Sequence, residues 1–249
     1  MDSPTIFDRQ ARRLQRSRML DQSEEDRWIL AHMADDLLSR LQGVRRDFAH
    51  ALIIGCDFGL LAPHLTSSGM RLTRCDASPV LARKYGGVVC DEDRLPFADG
   101  AFDLVVSLGV LDTVDDLPGA LLLARRVLAP DGLFLAALSG AGGLPTLRQI
   151  FGNTGAARFH PQIDARSGGD LLARAGFVLP VAEIDTVTAR YRTIDRLFGD
   201  LRANGLRNTL NERHRLSRSG FDKAVSDLPE PLSERFSILT LTGWTKSPP

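Results

Sequence analysis

Apolar residues along this chain fall into short continuous runs and longer runs at helical spacing, and the two kinds alternate. "ALIIG" at 51–55 reads as a buried strand entering a glycine turn. "RLTRCDASP" (71–79) predicts a second strand and its turn, and "GGVVCDED" (86–93) a third. "FDLVVSLGVL" (102–111) is nearly continuously apolar, as a parallel strand covered on both faces should be. "LFLAALSG" (133–140) predicts a fifth strand, "VLPVAEIDTVTARY" (178–191) a sixth and "RFSILTLTGW" (235–244) a last one. Between them lie helical patterns at 60–69, 116–132, 168–177 and 193–205, the second stopped by Pro130-Asp131-Gly132. Pro63 places the start of the helix at 60–69 near Leu60 or Ala62, or bends it there. Strands alternating with helices in this way predict an α/β fold with a doubly wound sheet.

Two helices precede the first strand. Trp28, Ile29, Met33, Leu37, Leu38 and Leu41 recur at helical spacing, and Gly43 ends that helix. In "IFDRQARRLQRSRM" (6–19), Ile6, Phe7, Leu14 and Met19 suggest an apolar stripe, with Arg9, Arg12, Arg13, Arg16 and Arg18 as a solvated face around it. Residues 1–45 are therefore expected as a helical extension and 46–249 as the main domain, with cap elements around 140–170 and 192–230. The polar, arginine-rich stretch 205–230 gives no clear element.

Composition narrows the classes. With 249 residues, 43% hydrophobic, 25% charged and a formal net charge of zero, nothing global points to nucleic acid or an anionic membrane. No run approaches the ~20 apolar residues of a membrane span, and the N-terminus lacks a secretory apolar segment, so a cytoplasmic location is expected. Cys56, Cys75 and Cys90 read as reduced thiols near strand ends. His32, His50, His64, His160 and His214 are scattered without ligand spacing, so no metal site is expected.

The candidate chemistry lies at the carboxyl ends of the strands, where open α/β sheets bind ligands. Gly55 and Gly59 bracket the first turn, Asp76 ends the second strand, and Asp91, Glu92 and Asp93 follow the third. An acid at the second strand can accept from both hydroxyls of a ribose, and an acid at the third from a purine amino group. This layout suits an adenosine without phosphate. A dinucleotide would favour G-x-G-x-x-G, whereas here Leu60 stands at the third glycine and Asp57 would face phosphate with its own charge, which disfavours an NAD-dependent oxidoreductase.

With "CDASP", "CDEDRLPFADGAFDLVVS" and "LARRVLAPDGLF", the chain resembles the class I S-adenosylmethionine-dependent methyltransferases of the type-11-like branch over roughly residues 48–139. "IFDRQARRLQRSRM" and the ending "LTGW" extend the similarity to proteins related to the mitochondrial complex I assembly factor and to malonyl-carrier-protein methyltransferase. The resemblance implies a Rossmann-like sheet with a small helical cap, and S-adenosylmethionine held by Gly55, Cys56, Asp57, Gly59, Asp76, Ala77, Asp91, Glu92, Ser107 and Leu108. It implies a small-molecule or protein acceptor, with Arg148 and Tyr191 at positions where the family has an arginine and a tyrosine. Asp112, which follows the fourth strand, and His160, in a loop before Pro161, are further candidates for handling the acceptor. The alternative it carries is an assembly factor for a respiratory-complex subunit, acting by binding or by arginine hydroxylation. This chain departs from the family at Asp57 for the motif glycine, at Ile53 for the motif acid, at Asp112-Thr113 for a His-Trp pair and at "GAGG" for "GGDT". Asp57 is expected to take the positive φ of the missing glycine and to pair with the cofactor's ammonium in place of an acid at 53.

Overall fold

The computed structural model describes residues 5–152, 158–213, 217–226, 228 and 231–247. His214 and part of the glycine-rich and arginine-rich stretches lie outside the described residues. The helices are α1 (Arg9–Arg18), α2 (Trp28–Gln42), α3 (Ala62–Ser67), α4 (Pro79–Lys84), α5 (Leu117–Val127), α6 (Pro145–Phe151), α7 (Ala165–Arg174), α8 (Ile194–Ala203) and α9 (Arg218–Val225). The strands are β1 (His50–Ile54), β2 (Arg71–Asp76), β3 (Val88–Val89), β4 (Phe102–Leu108), β5 (Leu128–Ser139), β6 (Val178–Tyr191) and β7 (Leu232–Trp244). They form one sheet in the order β3-β2-β1-β4-β5-β7-β6, parallel from β3 to β5, with β7 antiparallel to both β5 and β6. The order reverses between β1 and β4, which makes the switch point where such sheets bind ligands.

The apolar runs resolve into two cores because strand side chains alternate between faces. Ala51, Ile53, Leu104, Val106, Leu133 and Leu135 pack with α2, α3 and α8 on one face. Leu52, Ile54, Val105, Phe134 and Ala136 pack with α5 and α7 on the other. Ile53 is thus a core side chain. Fully burying a residue of this size stabilises by about 1.5–3 kcal/mol, so the central strands hold the sheet without further devices.

Helices α4, α6 and α9 form where no helical pattern is legible in the sequence, and three further elements differ from the sequence expectation. The third strand shrinks to Val88–Val89, with both side chains exposed, because only this pair reaches β2. The fifth begins at Leu128, ahead of Pro130-Asp131-Gly132, and its pairing with β4 slips between Phe102 and Leu104 as Asp131 takes a φ of 58°. The third difference is at α1. Phe7 and Met19 are buried, but Ile6 and Leu14 are exposed, and the side chains that α1 buries are Arg12 and Arg16.

Candidate functional site

The first turn is built by backbone geometry. Gly55 takes a φ of 80°, and a Cβ there would meet Val110 Cγ1 at 2.5 Å, so only glycine fits. Gly59 takes a φ of 87°. Asp57 does not fill the left-handed position expected for it; Phe58 does, with a φ of 54°. The Asp57 carboxylate is tied to the backbone through one oxygen, while its Oδ1 is buried without a hydrogen-bond partner. Its Oδ2 accepts from the Leu61 and Ala62 amides at 2.8 and 2.7 Å, and Arg74 Nε stands 3.6 Å from Oδ1. Asp57 therefore ties the turn to the first residues of α3, a role its short acceptor side chain suits. Phe58 lies over the turn, its ring 4.9 Å from the Arg27 guanidinium carbon and 5.9 Å from that of Arg16.

Asp76 ends β2 at the switch point and is buried. Its Oδ2 accepts from the Cys56 amide at 2.8 Å and its Oδ1 from the Ser78 amide at 2.7 Å. The remaining capacity is taken by Arg16: Nη2 donates to Oδ2 at 2.6 Å and Nε reaches both oxygens at 3.0 and 3.1 Å. Arg12 Nη1 stands 2.7 Å from Glu92 Oε2, while its Nε donates to Thr113 Oγ1 at 2.7 Å and its Nη2 to the Val110 carbonyl at 3.2 Å. Arg13 and Arg9 donate to Asp91 at 2.7 and 3.1 Å, and Arg9 also pairs with Asp93. One helix thus brings guanidinium groups to each carboxylate that the sequence assigns to the nucleoside. Burial pushes the Arg12 and Arg16 pKa values down, but the charges of Glu92 and Asp76 outweigh it and leave both above the ordinary value.

Sequence reasoning missed these arginines as site residues. The signal was present: 9, 12, 13 and 16 follow the i, i+3, i+4, i+7 spacing of one helical face. Unpaired acceptors remain among the buried residues at the strand ends. Asp91 Oδ1 and Ser107 Oγ are buried without a hydrogen-bond partner, and both Glu92 oxygens lack an aligned hydrogen bond despite the ion pair. Ala77 and Leu108 are buried beside them. The Cys56 thiol is pushed up to about 12, chiefly by burial, so it stays protonated and inert.

The acceptor candidates divide. Asp112, Arg148 and His160 line one small cavity of about 40 Å³ with Ser139 and Gln162. That volume admits water rather than a substrate. Arg148 donates from Nε to the Gly143 carbonyl at 3.0 Å and from Nη2 to Gln162 at 2.8 Å, and stacks 4.7 Å over Phe159. His160 Nε2 accepts the Thr209 amide at 3.0 Å, which puts the ring proton on Nδ1. Burial lowers the His160 pKa, opposed by Asp112, so the ring is neutral near pH 7. Tyr191 stands apart from this cavity. Its hydroxyl donates to Asp200 at 2.9 Å, where Trp28 Nε1 also donates at 2.6 Å, which makes it a joint between β6, α8 and α2 and not a closing residue.

Residues 52–136 match the methyltransferase domain family. The arginine-hydroxylase NDUFAF5, mitochondrial, of Danio rerio is 31% identical over 96% of this chain and 82% of its own length. This chain belongs to the S-adenosylmethionine-dependent class I methyltransferases. A malonyl-[acyl-carrier protein] O-methyltransferase of Halorhodospira halophila is 32% identical over 75% of the chain and 70% of its own length. The YcgJ protein of Bacillus subtilis shares the fold, with a TM-score of 0.60 at 16% identity, covering 85% of this chain and 98% of that one. In this chain β7 is inserted antiparallel between β5 and β6. Among the described residues no helix is long and apolar enough to cross a membrane, and no group of three or more His, Cys, Asp or Glu side chains is arranged to hold a metal ion.

Proposed function

We propose that this methyltransferase holds its cofactor at Asp76, Asp91, Glu92 and the Gly55–Gly59 turn, and that the structure is its closed form, with α1 in the cofactor's place. The observation that carries this reading is the bidentate Arg16–Asp76 pair, in which both partners are almost wholly buried. The residues suit the group. Asp76 and Asp91 present acceptors for hydroxyl and amino donors, Ser107 Oγ and Asp91 Oδ1 are buried without hydrogen-bond partners, and Gly55 keeps the turn free of a side chain. S-adenosylmethionine supplies the methyl group on an already positive leaving group, so the protein's part is alignment of the acceptor and exclusion of water. On this reading Asp112 and Arg148 take that alignment role once the small cavity they line opens to an acceptor. His160 spends its free lone pair on Thr209, which leaves it a positioning residue.

The acceptor is a small molecule or a protein, and the location we assign is the cytoplasm. A second reading has its own observation. The cleft carboxylates here bind guanidinium groups, and the zebrafish relative is named an arginine-hydroxylase. On that reading α1 stands in for an arginine-bearing partner, such as a respiratory-complex subunit, and the cleft works on or grips that partner's arginine.

Calorimetry with S-adenosylhomocysteine tests the first reading. Freeing Asp76 in Arg16→Gln should tighten binding by about tenfold, the effect of removing ~1.4 kcal/mol of competition. Asp76→Asn should weaken it by at least as much. If Arg16→Gln binds no better than the wild type, α1 is not the competitor.

A further inference from the structure

Next to the small cavity of Asp112, Arg148 and His160, and sharing Leu144, Phe159 and Leu206 with it, lies a second cavity of about 400 Å³. This is within the roughly 300–1,000 Å³ typical of small-molecule sites. Its wall is aromatic and aliphatic. Phe151 and Phe221 stack with centroids 5.9 Å apart, Phe198 lies 5.9 Å from Phe221, and Leu147 and Leu201 close the floor. Phe159, Phe198 and Phe221 are only partly buried, so their rings face open space.

The rim has the opposite chemistry. Arg202 and Arg207 line this cavity and also the adjoining outer cavity of about 950 Å³, where Arg18 joins them. Among the described residues none of Arg18, Arg202 and Arg207 has a carboxylate within ion-pair distance or a hydrogen-bond acceptor, although Asp21 and Asp195 stand elsewhere on the two walls. The arginines repel one another. Partial burial lowers the Arg207 pKa, and the charges of Arg202 and Arg18 lower it further. Most arginines on α1 find carboxylates, whereas these meet only each other and a cavity. Repulsion left uncompensated in the protein is relieved by an anion.

We propose that this cavity binds an amphiphile, with a linear apolar chain among Phe151, Phe198 and Phe221 and an anionic head on Arg18, Arg202 and Arg207. An apolar chain fits the stacked rings of Phe151, Phe198 and Phe221, while Arg158, Asp195 and Asn208 stand elsewhere on the lining, and a fatty carboxylate, or the phosphate of an anionic lipid, supplies the head. The site is separate from the cofactor carboxylates, so its occupancy does not depend on the transferase reading.

The test is calorimetric titration of the intact protein, without cofactor, with dodecanoate, dodecanol and inorganic phosphate, and sedimentation with anionic phospholipid vesicles. Dodecanoate should saturate, with dodecanol and phosphate each weaker by about tenfold or more, since each lacks one half of the contact. Arg202→Gln/Arg207→Gln should bring dodecanoate to the level of dodecanol and leave dodecanol unchanged. Both arginines are exposed, so the variant should fold, and an unchanged thermal midpoint would verify it. Equal dodecanoate affinity in wild type and variant overturns the proposal, as does absence of saturation. Binding to vesicles but not to monomeric dodecanoate overturns it too, since it would leave the arginines as a surface patch and the cavity empty. Binding of both supports the proposal with the head group taken from either source, and binding of dodecanoate alone assigns the free fatty acid.

Discussion

Asp57 shows how a motif position can change its work while the loop survives. In the sequence it looks like a damaged glycine, and its charge invites a role beside the cofactor. The structure moves the left-handed backbone to Phe58 and spends one carboxylate oxygen, Oδ2, on the Leu61 and Ala62 amides, leaving Oδ1 without a hydrogen bond. No pattern in one sequence distinguishes these outcomes, because a one-residue shift of positive φ within "GCDFG" leaves the spacing of the glycines intact. A consequence follows for stability. Asp57→Ala strands two buried amides and should destabilise the fold by about 2–4 kcal/mol, read from urea unfolding. Asp57→Asn keeps an acceptor and should cost less than half of that. If the two substitutions are equal and small, the carboxylate does not organise the turn.

At the scale of elements, the strands were legible and the docking of α1 was not. Runs such as "LIIG" and "LVVSL" have one stable solution, burial on both faces, and β1 and β4 fall where the runs predict. The apolar positions of α1 mislead because its burial is electrostatic. Arg12 and Arg16 are covered only because Glu92 and Asp76, distant in sequence, lie beneath them. Spacing along a helix reveals a shared face but not which partner waits for it. The 158–162 segment is another case of docking set by a distant partner: His160 accepts from Thr209 and packs edge-on against Phe7 at 5.2 Å. Its pKa is lowered in the folded state, so the unfolded chain binds the proton more readily. That contribution to stability is present above the ordinary histidine value of 6.5 and is lost as pH falls through the folded pKa. The thermal midpoint should therefore drop between pH 7.5 and 5.5, and His160→Gln should flatten that dependence. An unchanged slope in the variant would show that other groups set it.

Over the whole molecule, the fold places a nucleoside site at the β1–β4 switch point and then covers it with its own N-terminal helix. The carboxylates were legible as a site because periodicity locates strand ends; their occupancy by α1 was not, since it depends on contacts between residues far apart in sequence. Phe7 also bridges to Leu210, so α1 is tied to the segment that rims the second cavity. Movement of α1 would therefore uncover the cofactor carboxylates and alter the setting of Arg18 at once. The most direct test is hydrogen–deuterium exchange over residues 9–18, with and without saturating S-adenosylhomocysteine. Competition predicts faster exchange of the α1 amides when the nucleoside is bound, while β1 and β4 stay protected. Slower or unchanged exchange in α1, with binding independently confirmed, would contradict the claim that the helix and the cofactor occupy the same carboxylates.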